Sequence, residues 1–231
     1  MPHANASEVH APDTQHHPAV EEYLETIFHL EEAGVPAMRA RLVERLGVSA
    51  PAVSEQVKRL EREGYVVLSD ERTIGFTPEG REYATAIVRR HRLAECLLVN
   101  VLGLPWHQVH VEAGRLEHAI SPVLEERLVA VLDDPVTCPH GNPIPGSKKV
   151  YDPGVLKPLA PLKPGTRTSI VRLEEDIQAD HELLKALQQA GAVPGAEIEI
   201  EVNDGAVVRF TAPQGVVEVS TEIAAGIRVA S

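Results

Sequence analysis

The chain has 231 residues, 43% of them hydrophobic, with a formal net charge of −12 and two cysteines. This length suits more than one domain, and no apolar run approaches the roughly 20 residues that a membrane-spanning helix needs, which excludes a membrane protein. Two cysteines make no disulfide framework, and the polar N-terminus is not a signal peptide, so we expect a cytoplasmic protein. We interpret residues 1–17 as a flexible leader.

The next part of the chain predicts a winged helix-turn-helix domain over residues 18–77. Apolar spacing indicates a first helix over residues 20–32 and a second over 38–46. After a glycine turn, a third helix is expected over residues 49–63, followed by two strands around a polar turn. This order of elements is typical of a winged helix-turn-helix. Residues 36–91 hold ten Lys/Arg against eight Asp/Glu, so this segment is positive although the chain is acidic.

Candidate DNA contacts lie on the second and third predicted helices. Basic residues at the start of the second helix are suited to phosphates, and the start of the third holds side chains that can meet base edges or a thymine methyl. The candidate DNA-binding residues are Arg39, Arg41, Ser49, Pro51, Ala52, Glu55, Lys58 and Arg59. The alternative is that the charged face of the third helix is simply solvated.

Residues 78–133 predict three amphipathic helices that could close a dimer interface. His91 and Glu95 lie four residues apart on the first of these helices, so both side chains project from one face. The next helix presents a facing stripe made of His110, Gly114, Glu117 and His118. Imidazoles and carboxylates without a thiolate suit divalent first-row metals. The alternative is an ordinary surface His–Glu contact, and Cys96 is expected in the core.

The last third of the chain changes in composition twice. Residues 134–165 are rich in proline with few periodic apolar positions, which is typical of a linker. Residues 166–231 predict four short strands separated by turn signals, with a helix over 180–189. This segment indicates a small β-barrel-like module, and the whole chain is therefore predicted to be an α+β protein.

Several stretches resemble the diphtheria toxin repressor family of iron- and manganese-dependent regulators. They are EYLETIFHLEEAGV, MRARLVERLGVSAPAVSEQVKRLEREG, FTPEGR, HRLAECLL, VHVEAGRLEHAIS and GNPIPG, which cover about residues 18–146. The tail resembles that family's SH3-like, FeoA-type domain. The resemblance implies an N-terminal winged helix-turn-helix, a helical metal-binding and dimerisation domain, a proline-rich linker and a C-terminal SH3-like small β-barrel.

The resemblance also implies two metal sites. The ancillary site of the family is matched by His91, Glu95 and His110, with Asp180 as the best-placed ligand from the SH3-like domain, or His181 or Glu182 if the register shifts by one. The second site is matched less completely, by Glu22, Glu25, Glu117 and His118. Gly114 stands where family members carry a further ligand. An acidic residue at Glu22, where iron-type members have Met, resembles manganese-type members and favours a hard ion such as Mn²⁺.

We therefore predict a homodimeric transcriptional repressor, not an enzyme, that binds a palindromic double-stranded DNA operator and controls metal-homeostasis genes. Its expected effector is Mn²⁺, with Fe²⁺ as a competitor, and Co²⁺, Ni²⁺, Zn²⁺ or Cd²⁺ are expected to substitute in vitro. One alternative is a winged-helix regulator gated by an organic ligand, with a merely structural His/Glu stripe. Another is a metallohydrolase, although the sequence holds no HExxH or other hydrolytic signature.

Overall fold

The computed structural model describes residues 18–231, so the predicted leader at residues 1–17 lies outside the described residues. The N-terminal unit has three helices and a hairpin: α1 Pro18–Glu32, α2 Arg39–Leu46, α3 Ala50–Arg62, β1 Val66–Leu68 and β2 Ile74–Phe76. The two strands pair antiparallel, with Val66 opposite Phe76. The apolar stripe of α1, including Leu24 and Ile27, packs with α3 and the hairpin into one core. The predicted winged helix-turn-helix is confirmed.

The turn between α2 and α3 follows from local chemistry. Gly47 ends α2 in the left-handed region, with φ of 65°, where a side chain would be strained. The Ser49 hydroxyl then accepts a hydrogen bond from the Ala52 amide at 3.4 Å, and Pro51 lies in the first turn of α3. This turn sets the exposed start of α3.

The helical unit consists of α4 Pro78–Asn100, α5 Val109–Leu116 and α6 Pro122–Val131. The second of the three helices predicted for this unit is divided: 3₁₀ turns at Trp106–Gln108 and Glu117–Ala119 flank α5. The second turn is tighter than an α-helix and changes the directions of the side chains that follow α5. α4 packs against both α1 and α5, so it joins the first two units.

The C-terminal unit contains a six-stranded antiparallel sheet in the order β3-β8-β4-β5-β6-β7. Its elements are β3 Leu156–Pro158, β4 Arg167–Leu173, α7 Glu175–Gln178, α8 His181–Gln189, β5 Glu197–Asn203, β6 Val207–Ala212, β7 Gly215–Ser220, α9 Thr221–Ala225 and β8 Ile227–Ala230. Register shifts at Ile170/Arg172 and Ile200/Val202 curve the sheet around a core that includes Phe210. The predicted SH3-like architecture is confirmed, and it includes two strands, β3 and β8, that the sequence did not indicate.

The proline-rich segment does more than connect the units. Cys138, His140 and Asn142 are buried. The Asn142 amide donates to the Leu173 carbonyl at 2.7 Å, and the Leu173 amide donates to the His140 carbonyl at 2.9 Å. These bonds fix the segment between α4 and the end of β4. In the described part of the chain, no helix has the length and apolar character to span a membrane.

Candidate metal centre

The three predicted ligands of the ancillary site lie together. His91 and Glu95 project from one face of α4 and are buried, and His110 faces them from α5. His91 Nε2 is 3.1 Å from His110 Nδ1 and 3.4 Å from Glu95 Oε1. His110 Nδ1 is 3.5 Å from the same Glu95 oxygen. The i, i+4 spacing on α4 therefore does bring both side chains to one point.

Glu175 is the side chain from the C-terminal unit that joins these three. Its Oε2 is 3.5 Å from His110 Nδ1, and ligand atoms of all four residues lie within 4.8 Å of one another. We name the set His91, Glu95, His110 and Glu175 the ancillary cluster. The structure does not bring Asp180 into it, because Asp180 caps α8 by accepting from the Leu183 amide at 3.0 Å.

Glu175 was not predicted as a ligand, because of the element on which it lies. It lies on α7, a helix of four residues that is too short for periodicity to indicate. The resemblance implied a ligand from a helix of this unit, and the first helix that the sequence indicates begins five residues later, at Asp180. The available signal was the acidic run Glu174–Asp176 directly after strand β4.

His91 is also part of a second group, which we name the α1 cluster: Glu25, His91 and Glu117. His91 Nδ1 is 2.6 Å from Glu117 Oε2 and 3.7 Å from Glu25 Oε1. The ring of His91 therefore presents its Nε2 to the ancillary cluster and its Nδ1 to the α1 cluster. The predicted residues Glu25 and Glu117 lie together as expected.

Two other residues predicted for the second site are placed differently. His118 contacts Glu21 rather than Glu22, and Glu21 is buried and also accepts from the Tyr83 hydroxyl at 2.7 Å. Glu22 is exposed at the edge of a cavity of about 760 Å³ that reaches His91 and Gly114. A Cβ at Gly114 would meet no described atom within 4 Å, so the position is open space.

A third group, which the sequence did not indicate, is the loop cluster of Glu95, Cys138 and His140. His140 Nδ1 lies 3.0 Å from Glu95 Oε1, and both side chains are fully buried. Burial, together with the carboxylates of Glu95 and Glu175, raises the pKa of the Cys138 thiol well above its usual value. The sequence predicted a centre without a thiol, and the structure places one beside it, because the segment assigned as linker folds inward.

Unpaired polar atoms test whether these residues suit a cation. Among the described residues, six buried side-chain atoms around the clusters have no hydrogen-bond partner: Glu25 Oε1, His29 Nε2, Glu95 Oε2, His140 Nε2, Glu175 Oε2 and Gln178 Oε1. A buried polar atom left without a partner costs about 1–3 kcal/mol, so such atoms are rarely gathered in one place. A cation is the partner that would satisfy carboxylate oxygens and imidazole nitrogens together. The donor set therefore fits a divalent metal.

Comparison with known proteins agrees with this arrangement. Sequence profiles match three consecutive parts of the chain: the iron dependent repressor N-terminal DNA binding domain at residues 17–74, the metal binding and dimerisation domain of the same repressors at residues 77–146, and the diphtheria toxin repressor SH3 domain at residues 160–231. The chain belongs to the diphtheria toxin repressor family. It is a metal-dependent transcriptional repressor of that family, as predicted from the sequence, so neither alternative function is retained.

Individual family members are similar over most of their length. The iron-dependent repressor IdeR of Mycobacterium tuberculosis is 45% identical over 202 residues, covering 84% of this chain and 88% of that protein. The diphtheria toxin repressor of Corynebacterium glutamicum is 44% identical over 216 residues, 90% of this chain and 94% of that protein. A solved manganese-dependent transcriptional repressor in complex with manganese superposes with a TM-score of 0.79 at 31% identity, covering 92% and 99% of the two chains.

In this family member, charge at the centre is strongly perturbed. Burial and the neighbouring Glu117 carboxylate raise the pKa of Glu25 to about 8. Burial disfavours a charged His91, but the carboxylates of Glu117, Glu95 and Glu25 outweigh it and raise the pKa of His91 well above its usual value. Both shifts favour the protonated forms, so protons compete with a metal for these two groups.

One buried cation already links two parts of the repressor at this centre. Arg92 is fully buried on α4 and donates two hydrogen bonds to the Glu32 carboxylate at the end of α1, at 3.0 and 2.6 Å. It also donates two bonds to Glu175 Oε1, at 3.2 and 3.1 Å, and one to the Pro143 carbonyl at 2.6 Å. The cluster carboxylate Glu175 is thereby connected to α1.

The candidate DNA-binding residues lie on and beside α3. Ser49, Pro51, Ala52, Glu55 and Lys58 are exposed. Two of the basic residues form ion pairs within the domain. Arg41 pairs with Glu44 at 2.9 Å, and Arg59 pairs with Glu63 at 2.7 Å. Arg39, the first residue of α2, is half-buried.

Proposed function

We propose that this repressor is activated by Mn²⁺ held by His91, Glu95, His110 and Glu175. The observation that carries the proposal is that ligand atoms of these four residues lie within 4.8 Å of one another, while Glu95 Oε2 and Glu175 Oε2 are buried without a hydrogen-bond partner among the described residues. The four residues come from α4, α5 and α7, which belong to two different units. Buried polar atoms without partners destabilise the folded protein, whereas a bound cation would satisfy them.

The choice of Mn²⁺ over Fe²⁺ rests on donor hardness. The two clusters that contain His91 offer imidazole nitrogen and carboxylate oxygen and include no sulfur donor. Fe²⁺ is the competitor, since the similar proteins named above include iron-dependent as well as manganese-dependent repressors. The Cys138 thiol in the loop cluster would shift the preference toward softer ions if it became a ligand.

Metal analysis of protein produced with Mn²⁺ and Fe²⁺ supplied together tests this choice. We expect manganese to predominate in the purified protein. Predominant iron would contradict the choice of effector while leaving metal-dependent repression intact. A Cys138→Ser variant is the matched control, and we expect its manganese content to equal that of the wild type.

The mechanism follows from the helices on which the ligand side chains lie. When bound, a divalent cation supplies positive charge that neutralises the gathered carboxylates. Glu25 then holds α1 near His91, while Glu175 holds the C-terminal unit near His110. Fixing α1 fixes α3, because the two share one core. The metal activates to the extent that it binds the DNA-competent arrangement more tightly than other arrangements.

We further propose that a homodimer presents two copies of α3 to successive major grooves of a palindromic operator. The residues proposed to touch DNA are Arg39, Arg41, Ser49, Pro51, Ala52, Glu55, Lys58 and Arg59. The second metal position would be the α1 cluster, with Glu25 and Glu117 as ligands and Gly114 contributing none; His118 and Glu22, also predicted for it, lie outside this cluster. The protein would act in the cytoplasm, and the genes that it controls would be those of metal homeostasis.

A gel shift tests metal activation. A duplex is first selected from a random library with the Mn²⁺-loaded protein and is then bound in the presence of Mn²⁺ or of a chelator. We expect binding with Mn²⁺ and at least a tenfold weaker complex with chelator, about 1.4 kcal/mol. Equal binding in both conditions would contradict the proposal.

A further inference from the structure

Trp106 lies in the helical unit, but its side chain belongs to the core of the C-terminal unit. It is the first residue of the 3₁₀ turn that precedes α5, and it is buried. The other buried members of its apolar cluster, among the described residues, all lie in the range from Leu159 to Val229. The helical unit thus contributes a large aromatic side chain to a core that is otherwise formed by the C-terminal unit.

Polar contacts fix this ring and the turn that carries it. The indole Nε1 donates to the Pro139 carbonyl at 2.9 Å, and the ring lies against that of His140, with centroids 4.7 Å apart. The next residue binds the turn to α8: the His107 amide donates to Gln188 Oε1 at 3.3 Å, and His107 Nδ1 is 2.6 Å from the same oxygen. Tryptophan combines a large apolar surface with one polar group, and both are used at this position.

Trp106 connects the backbone segments of two proposed metal ligands. His110 follows it by four residues, about one helical turn, on the continuous run formed by the 3₁₀ turn and α5. Glu175 lies between Leu173 and Ile177, and both of these belong to the core that contains Trp106. The ring therefore joins the segment that carries His110 to the segment that carries Glu175.

The ancillary cluster depends on a short distance between these two ligands. His110 Nδ1 and Glu175 Oε2 are 3.5 Å apart, although they come from different units. Arg92 also holds Glu175, through Oε1, but that contact joins Glu175 to α4 rather than to α5. Residues that orient metal ligands without binding the ion typically contribute about 10- to 100-fold to its affinity. Trp106 is placed to make such a contribution.

We propose that Trp106 is a positioning residue for the metal. Inserted in the core of the C-terminal unit, it holds Glu175 opposite His110 and so raises the affinity of the ancillary cluster for its ion. The inference rests on the proposed function, since it needs a metal at that cluster. By linkage, a change that loosens the Trp106 contact weakens metal binding, and bound metal strengthens the contact.

Calorimetry with Mn²⁺ on a double-mutant cycle tests the inference. The four proteins are the wild type, Trp106→Ala, Glu175→Gln and the double variant. We expect Trp106→Ala to weaken Mn²⁺ binding at least about tenfold. Glu175→Gln should cost at least about tenfold in the wild type but less than about twofold in the Trp106→Ala background, because there the carboxylate no longer faces His110. A Trp106 that only fills the core would leave the two losses independent.

Two further variants separate positioning from loss of core volume. Trp106→Phe keeps an aromatic ring in the core and should bind Mn²⁺ within about threefold of the wild type. Phe210→Leu removes volume from the same core, on strand β6, which carries no proposed ligand. It should lower the urea midpoint of unfolding and leave the Mn²⁺ affinity unchanged.

Three results would overturn the inference and leave the proposed function standing. They are unchanged affinity in folded Trp106→Ala, an equal cost of Glu175→Gln in both backgrounds, and a loss of affinity in Phe210→Leu as large as in Trp106→Ala. A wild type that does not bind Mn²⁺ would overturn the proposed function, and the inference with it. If Trp106→Ala does not fold, Trp106→Leu takes its place in the cycle, with the same expected and contradicting results.

Discussion

At the scale of single residues, His91 is the side chain on which the centre depends. Its two ring nitrogens face different carboxylates, with Glu117 at 2.6 Å from Nδ1 and Glu95 at 3.4 Å from Nε2. One imidazole thus touches both the ancillary cluster and the α1 cluster. A hydrogen bond at one ring nitrogen fixes what the other can do, so occupancy of one cluster alters the other.

Substitution of Glu175 by Gln should weaken metal binding. The change keeps the shape of the side chain and removes the negative charge that faces His110 and His29. We expect the Mn²⁺ dissociation constant, measured by calorimetry, to rise at least about tenfold. Asp180→Asn is the matched control, because Asn also caps a helix and Asp180 lies outside the cluster. A larger loss in Asp180→Asn than in Glu175→Gln would show that the ligand is misassigned.

The affinity for Mn²⁺ should rise with pH. The pKa of Glu25 is raised to about 8 and the pKa of His91 is raised well above its usual value in the metal-free protein. A metal binds their deprotonated forms, so lower pH means stronger competition from protons. We expect up to about a tenfold gain per pH unit for each displaced proton between about pH 6.5 and pH 8.

Calorimetry in buffers of different ionisation enthalpy counts the protons released on Mn²⁺ binding and so checks this pH dependence. The control variant Glu25→Gln should release fewer protons than the wild type. Affinity that does not change with pH, or binding without proton release, would show that these groups do not face the metal.

At the scale of secondary-structure elements, Arg92 on α4 joins α1 and α7 and stabilises the centre. Arg92 is fully buried between Glu32 and Glu175, and removing one partner of a buried ion pair leaves an uncompensated charge. We expect Arg92→Met to lower the free energy of unfolding of the metal-free protein by about 3–5 kcal/mol in urea denaturation.

A second interdomain ion pair serves as the control for the Arg92 bridge. Arg45 on α2 pairs with Asp176 on α7 at 3.1 Å, but both side chains are partly exposed. Because solvent screens such pairs, Arg45→Met should cost no more than about 1 kcal/mol. Similar losses for Arg92→Met and Arg45→Met would contradict the buried role of Arg92.

The elements themselves were largely predictable, because most have a local cause. The Gly47 turn, the Ser49 cap and the apolar spacing of α1 and α3 are all readable in the sequence. Strand β8 and helix α7 were not predictable, because each contains only four residues and forms through tertiary contacts. A pattern needs more than one or two periods before it indicates an element.

The candidate site was predictable only within single helices. The pair His91 and Glu95 follows from i, i+4 spacing, and helical spacing on the next helix indicated the facing stripe that contains His110, which the resemblance to a known family also implied. Glu175 and His140 come from segments without periodicity, brought in by bonds such as Leu173 to His140. Sequence proximity cannot indicate contacts of that kind. The placement of Glu21 against His118, in preference to Glu22, likewise depends on how α1 is rotated in the fold.

At the scale of the whole molecule, all three units meet at the ancillary cluster and its surroundings. α1 belongs to the DNA-binding unit, α4 and α5 to the helical unit, and α7 to the SH3-like unit. A ligand that binds only the assembled arrangement stabilises it by mass action. The central claim is therefore that a metal held between the helical and SH3-like units switches the DNA-binding unit beside them.

Anomalous diffraction at the manganese edge, from crystals of the protein grown with Mn²⁺, tests that claim most directly. We predict a strong peak bounded by His91, Glu95, His110 and Glu175, in contact with side chains from the helical unit and the SH3-like unit. A peak confined to other residues, or no peak at these four in Mn²⁺-saturated crystals, would contradict it.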